Sequence, residues 1–297
     1  MHSHESIIKS IRVPFLLLTP TCVLLALSFA NYQGVQISWL NSVVVLIGAL
    51  TAHIAVNLIN EYQDFQSGLD FKTKQTAYSG GSGLLPSNPH LAKKVWSAFI
   101  LSTIVLFSIG FYFLVLYGWR IIPFGLLGFL IIITYTKWIN KSAILCLIAP
   151  GIGFGSLMVV GSYFCITGLL DNQILAASFI TFFLVNNLLL LNQYPDIEAD
   201  KTVSRNHFPI KFGIKASNII YITFVISAQV LLVYLVNTQV LPMLSLVTLL
   251  PLSLSYISFA GMIKLGENIA CEPKFMAANI ACNILTPITL SISLLLG

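Results

Sequence analysis

Residues 38–64 read SWLNSVVVLIGALTAHIAVNLINEYQD, an apolar run that ends in an acidic phrase. The phrase NEYQD (60–64) returns as NQYPD (192–196) at the end of a second apolar run. More acid follows each copy, FQSGLD to Asp70 and IEAD to Asp200. About 20 apolar residues make a helix long enough to cross a bilayer core of ~30 Å. The pattern therefore puts a carboxylate cluster at one end of each of two membrane-crossing helices.

The rest of the chain has the same character. Of its 297 residues, 57% are hydrophobic and 8% charged. So few charges cannot cover the surface of a soluble protein of this size, and the composition selects a polytopic membrane protein. Nine apolar runs are long enough, or nearly so, to cross: 13–31, 38–60, 95–118, 120–137, 144–168, 173–194, 216–237, 241–263 and 276–296. The expected fold is all-α, with about nine transmembrane helices in one bundle and a single integral-membrane domain over 1–297. The repeated phrase makes spans one to four and five to eight candidate related halves around a central cavity. The first run follows a short polar leader and lacks a small-residue cleavage site, so it reads as a retained helix.

With the N-terminus inside, fourteen of the fifteen basic residues fall on one face, and only Arg120 falls on the other. That asymmetry predicts a multi-pass protein of the cell (inner) membrane with a cytoplasmic N-terminus. The long inner loops make the cytoplasmic side the working side. The net charge of +5 then marks an inner membrane face and is not a nucleic-acid footprint. Five cysteines, an odd number with no C-x-x-C spacing, read as packing residues.

Six of the ten carboxylates fall in the two phrases: Glu61, Asp64 and Asp70, then Asp196, Glu198 and Asp200. Asn57, Asn60 and Asp64 share one helical face, and Asp196 and Asp200 are one turn apart. Carboxylates crowded at a low-dielectric mouth repel one another, and a charge at the membrane centre costs at least ~2.5 kcal/mol. A compensating cation is required. The carboxylate–amide mixture suits a hard divalent ion, and Mg²⁺ is typically held by one or two carboxylates plus substrate phosphates. Two facing clusters accommodate two or three Mg²⁺ ions with a diphosphate between them. One D-x-x-x-D would be an ordinary acidic helix end, but two copies of N-[EQ]-Y-x-D at matching ends point to a shared site.

At these residues the sequence resembles the UbiA superfamily of intramembrane aromatic prenyltransferases. NLINEYQDFQSGLD (57–70) is similar to that family's first Asp-rich motif, and NQYPDIEADK (192–201) to its second. SGGSGLL (79–85) and GFGSLMVVGSYFCITG (153–168) resemble the dihydroxynaphthoate prenyltransferase-like branch. The chain departs from the pattern at Glu61, where an Asp is usual, and at Gln75, where an Arg is common. It also has no acid in KWINKSAILCLIAPGIG (137–153).

The resemblance implies Mg²⁺-dependent transfer of a polyprenyl chain from its diphosphate to an aromatic acceptor in a lipid bilayer. A naphthoate of menaquinone synthesis is the first candidate, with 4-hydroxybenzoate or another acceptor behind it. The expected metal-holding residues are Asn60, Asp64, Asp70, Asp196 and Asp200, with Glu198 behind them. Lys74, Lys201, Asn57 and Asn192 are candidates for the diphosphate. Ring faces stabilise an allylic cation, which makes Tyr62 and Tyr194 candidates beside Asp64 and Asp196, together with Tyr78 and Tyr135. SGGSG is a candidate lid, GIGFG (151–155) a close-packing stretch, and His53 a packed or hydrogen-bonded residue. His90 and His207 are minor site candidates. A secondary transporter is the competing class, but transporter sites lie near the bilayer midplane, whereas these acids sit at helix ends.

Overall fold

The computed structural model describes residues 7–76 and 78–297; the start of the polar leader, 1–6, lies outside the described residues. Among the described residues there is no strand. The long helices are α1 Leu18–Tyr32, α2 Trp39–Ser67, α3 Ala92–Tyr117, α4 Ile122–Thr134, α5 Ala143–Thr167, α6 Asn172–Asn192, α7 Phe208–Asn237, α8 Leu249–Leu265 and α9 Pro273–Leu296. Among the described residues, seven stretches are long and apolar enough to cross a membrane, or eight if the bent pair Ile8–Leu16 and Leu18–Tyr32 forms one span.

One of the seven, Pro89–Thr134, contains both α3 and α4. The rings of Phe107 and Phe129 lie 5.1 Å apart. Along one straight helix, 22 residues would separate them by about 33 Å. The chain therefore doubles back, and it does so at Gly118, whose φ of 68° and ψ of −156° suit glycine. The hairpin exposes Phe107, Phe111, Leu126 and Leu130, an apolar surface that lipid can cover.

Helix ends depart from the apolar runs where polar residues are helix-compatible. α2 continues to Ser67, past the run that ends at 60, and α7 starts at Phe208 with a break at Gly213. Hydropathy marks only the part of a helix that meets lipid. Inside α5, residues Gly151–Leu157 widen into a π-helix. Asn186 Oδ1 accepts the Gly151 N–H at 2.6 Å, and Thr181 Oγ1 donates to the Gly155 carbonyl at 3.2 Å. Groups on α6 thus hold open a turn that an α-helix would close by itself. A Cβ on Gly155 would stand 2.4 Å from Phe182 Cα, so this glycine admits the close approach of α6. The main apolar cluster joins α1, α5, α6, α7 and α9 around Phe29, Tyr163, Leu184, Leu232 and Leu290.

Candidate active site

The two acidic phrases meet, but on different backbones. α2 remains helical through Asn60 and Asp64 and stops at Gly68, whose φ of 76° lets its N–H close on the Asp64 and Phe65 carbonyls. The next turn, Leu69–Phe71, brings Asp70 back over the helix end. α6 ends earlier, at Asn192, and the short helix Ile197–Lys201 starts after Asp196. Pro195 lies in the intervening turn; it has no N–H to continue α6.

Between the phrases lies a cavity of about 140 Å³. Asn60, Asp64 and Asp70 line it from one side, and Asn192, Asp196 and Asp200 from the other. Arg205 joins the two sides, donating to Asp64 Oδ1 and, at 2.9 Å, to Asp200 Oδ1. His207 Nε2 and Asp200 Oδ2 are 2.9 Å apart. The glycine loop closes the rim. Thr76 Oγ1 accepts the Ser79 N–H at 2.9 Å, and the Gly80 N–H reaches Asp196 Oδ2 at 3.3 Å. Gly80 has φ 84°, and a Cβ there would stand 2.4 Å from the Lys74 carbonyl oxygen, so the loop needs glycine at this point. Arg12 completes the lining from the break between the short helices Ile8–Ile11 and Val13–Leu16. It sits in the left-handed region, φ 55°, which costs a non-glycine residue about 1 kcal/mol or more.

The crowding has electrostatic consequences. Burial, then the Asp64 and Glu61 carboxylates, push the Asp70 carboxyl up to about 8. Burial and Asp200 push Asp196 up to about 7. Asp70 Oδ2 and Asp196 Oδ1, both on residues that line the mouth, are buried without a hydrogen-bond partner. Unpartnered oxygens whose anionic forms repel one another suit an oxygen-coordinated divalent ion. Among the described residues, no group of three His, Cys, Asp or Glu side chains is assembled to hold a metal by itself. Arg205 stands between Asp64 and Asp200.

Next to this mouth is an apolar chamber of about 210 Å³, walled by the N-terminal segment, α2, α4, α5 and α6. Arg12, Asn60, Tyr135, Leu189 and Asn192 line both spaces.

Not every candidate reaches the mouth. Asn60, Asp64, Asp70, Asn192, Asp196 and Asp200 line it, as do Tyr78, Tyr135, His207 and residues 79–81. Asn57 lines the chamber instead and donates to the Ile11 carbonyl at 2.8 Å. Tyr62 packs on Trp96, and Tyr194 is fully buried with its hydroxyl donating to Asn218 at 2.8 Å. Lys201 pairs with Glu198 in solvent at 2.6 Å, and Lys74 is exposed; Tyr62, Tyr194, Glu198 and both lysines lie outside the lining. The sequence reading missed Arg12 and Arg205, counting them only as inner-face charge. A signal was present: the chain has three arginines, and two of them line this cavity. The rigid guanidinium fork can bridge two carboxylates where a lysine cannot.

The sequence profile of the UbiA prenyltransferase family matches residues 17–282. The chain belongs to this family. The 1,4-dihydroxy-2-naphthoate octaprenyltransferase of Bacillus subtilis (strain 168) is 30% identical over 186 residues, 62% of this chain. The match spans 58% of that relative's length. Among solved structures, one of digeranylgeranylglyceryl phosphate synthase superposes with a TM-score of 0.69 at 16% identity, over 97% of each chain. A UbiA homologue from Archaeoglobus fulgidus bound to GPP and Mg²⁺ also gives 0.69, at 14% identity, over 97% of this chain and 99% of that one. At these identities the likeness is one of fold. The long apolar helices and the UbiA family together make this a multi-pass membrane protein.

Proposed function

We propose that this UbiA-family protein transfers a polyprenyl chain from its diphosphate to an aromatic acceptor, a dihydroxynaphthoate of menaquinone synthesis. One observation carries the reading: a mouth lined by four aspartates and two arginines adjoins an apolar chamber. An allylic diphosphate has the matching halves. Asn60, Asp64, Asp70, Asp196 and Asp200 would hold Mg²⁺, which when bound neutralises charge on the departing diphosphate. Arg12 and Arg205 donate to phosphate oxygens, and the N–H groups of the glycine loop add uncharged donors. Tyr135, at the junction of mouth and chamber, offers its ring face to the allylic cation, with Tyr78 beside the mouth. The apolar walls keep water from that cation. Tyr62 and Tyr194 take packing roles, and Lys74 and Lys201 attract anions at the surface. The acceptor follows the Bacillus subtilis relative, whose name specifies dihydroxynaphthoate.

The chain is read as one membrane domain, 1–297, with nine crossings. The bent N-terminal pair and both arms of the α3–α4 hairpin are each counted, and α1–α4 and α5–α8 form two related halves. The N-terminus and the mouth face the cytoplasm, which keeps fourteen basic residues inside. The test is an assay in lipid nanodiscs with Mg²⁺, labelled prenyl diphosphates of graded length, and dihydroxynaphthoate or 4-hydroxybenzoate as acceptor. Product mass identifies both substrates. Prenylated naphthoate is expected, product with 4-hydroxybenzoate alone would reassign the acceptor, and no transfer with any pair would overturn the reading.

A further inference from the structure

His53, Asn57, Asn60 and Asp64 follow one another at helical spacing along a single face of α2. Asp64 and Asn60 line the polar mouth, and Asn60, Asn57 and His53 line the chamber. His53 thus places an imidazole among apolar neighbours such as Phe15, Leu18, Phe154 and Met158. A polar group in such surroundings is costly unless it is hydrogen-bonded. One ring nitrogen is satisfied: Nδ1 lies 2.8 Å from Thr19 Oγ1 on α1. Phe154 packs edge-on at 4.5 Å and fixes the ring plane. The other nitrogen, Nε2, has no hydrogen-bond partner among the described residues. A tie between α1 and α2 needs only one nitrogen, so the second is available to a ligand.

We propose that His53 anchors the aromatic acceptor: Nε2 hydrogen-bonds an oxygen substituent of the ring that is prenylated. This rests on the prenyltransferase reading and deepens it. Eleven residues of α2 separate His53 from Asp64, a rise of roughly 16 Å. That interval has to hold the metal and diphosphate beside Asp64, the allylic carbon, and an acceptor ring beside His53. The allylic end of the donor enters the chamber at Tyr135, and neither it nor the rest of the polyprenyl tail, which lipid can solvate, needs a hydrogen bond. An oxygen-bearing aromatic ring is the substrate that needs a polar partner in the chamber.

The experiment measures KM for donor and acceptor separately, with Mg²⁺, a prenyl diphosphate and 1,4-dihydroxy-2-naphthoate. In His53→Leu the acceptor KM rises roughly tenfold, the worth of one hydrogen bond, while the donor KM stays within about twofold. Two amides then separate anchoring from helix tying. The Gln amide can reach the place of Nε2, and the Asn amide that of Nδ1. His53→Gln therefore keeps an acceptor KM near wild type, and His53→Asn behaves like His53→Leu. Thr19→Val lowers the melting temperature and leaves the acceptor KM within about threefold. The reverse order, with Asn near wild type and Gln impaired, makes His53 a structural tie and overturns the proposal. A rise confined to the donor KM also overturns it, because the chamber then holds the tail. An inert wild type sinks the prenyltransferase reading and this one with it, whereas an active wild type with either contrary pattern sinks only this one.

Discussion

NEYQD and NQYPD share a pattern, and the chain folds them differently. In the first, Asn60 and Asp64 are consecutive turns of a helix that runs on to Ser67, so their geometry is set by α2 alone. In the second, α6 stops at Asn192, and Asp196 and Asp200 belong to a turn and a short helix. Their positions are set by partners: Gly80 on Asp196, and Arg205 and His207 on Asp200. The same five-residue spacing makes an arm set by one helix on one side and an arm held by its partners on the other. The phrases differ at two positions, Glu61 against Gln193 and Gln63 against Pro195, and of these residues only the proline lacks an N–H to continue a helix.

The largest expected effect is loss of an aspartate from either arm. Asp64→Ala or Asp196→Ala lowers single-turnover prenyl transfer by roughly 10³-fold, the scale of removing a main electrostatic contact to the leaving group, with protein levels in the membrane unchanged. The arms share one leaving group, so the Asp64→Ala/Asp200→Ala double variant is scarcely slower than the worse single variant. Additive losses in log rate would make the phrases independent.

Exchanging the distinguishing residues comes next. Gln63→Pro breaks the interior of α2 and lowers stability by about 3 kcal/mol, measurable as thermal unfolding in detergent. Pro195→Gln removes no helix hydrogen bond, so stability should change by less than about 1 kcal/mol and activity by a few-fold. Equal responses at the two positions would refute the distinction between an arm set by its helix and one held by its partners.

The bridge between the arms is the third test. Arg205→Ala leaves Asp64 and the buried Asp200 without their shared partner. Breaking a buried ion pair typically costs about 3 kcal/mol, here lessened because His207 still faces Asp200 and Asp64 is partly exposed. Arg205→Lys keeps the charge but cannot bridge both carboxylates, so it recovers part of the stability and little activity. Full activity in Arg205→Lys would show that the fork is unnecessary. The smallest effect belongs to Lys201, whose exposed pairing with Glu198 contributes about 0–1 kcal/mol. Lys201→Ala should change transfer by less than about twofold, and a tenfold loss would return Lys201 to the site.

The membrane fold was legible because hydropathy accumulates locally over about 20 residues, and each of the long helices falls on one of the apolar runs. The shared place of Asn60 and Asp64 at the mouth was legible because i, i+4 spacing already puts them on one face. Tyr62 and Tyr194 show where this reasoning stops. They occupy equivalent places in the repeated phrase, yet one packs on Trp96 and the other is buried beside Asn218. Sequence spacing fixes which residues share a helix face, but not toward what that face is rotated.

By itself, the sequence determined that this chain is a helical membrane protein with two acidic helix ends, since apolar length and residue spacing are properties of single segments. The tertiary structure alone decided that Arg205, five residues beyond Asp200, also grips Asp64, and that Arg12 reaches the same mouth from the N-terminal bend. It also decided that His53, buried against Phe154 and tied to Thr19, borders the chamber. Each of these depends on how separate helices rotate and close on one another. That is fixed by the summed packing of α1, α2, α4, α5 and α6, and no single segment carries it.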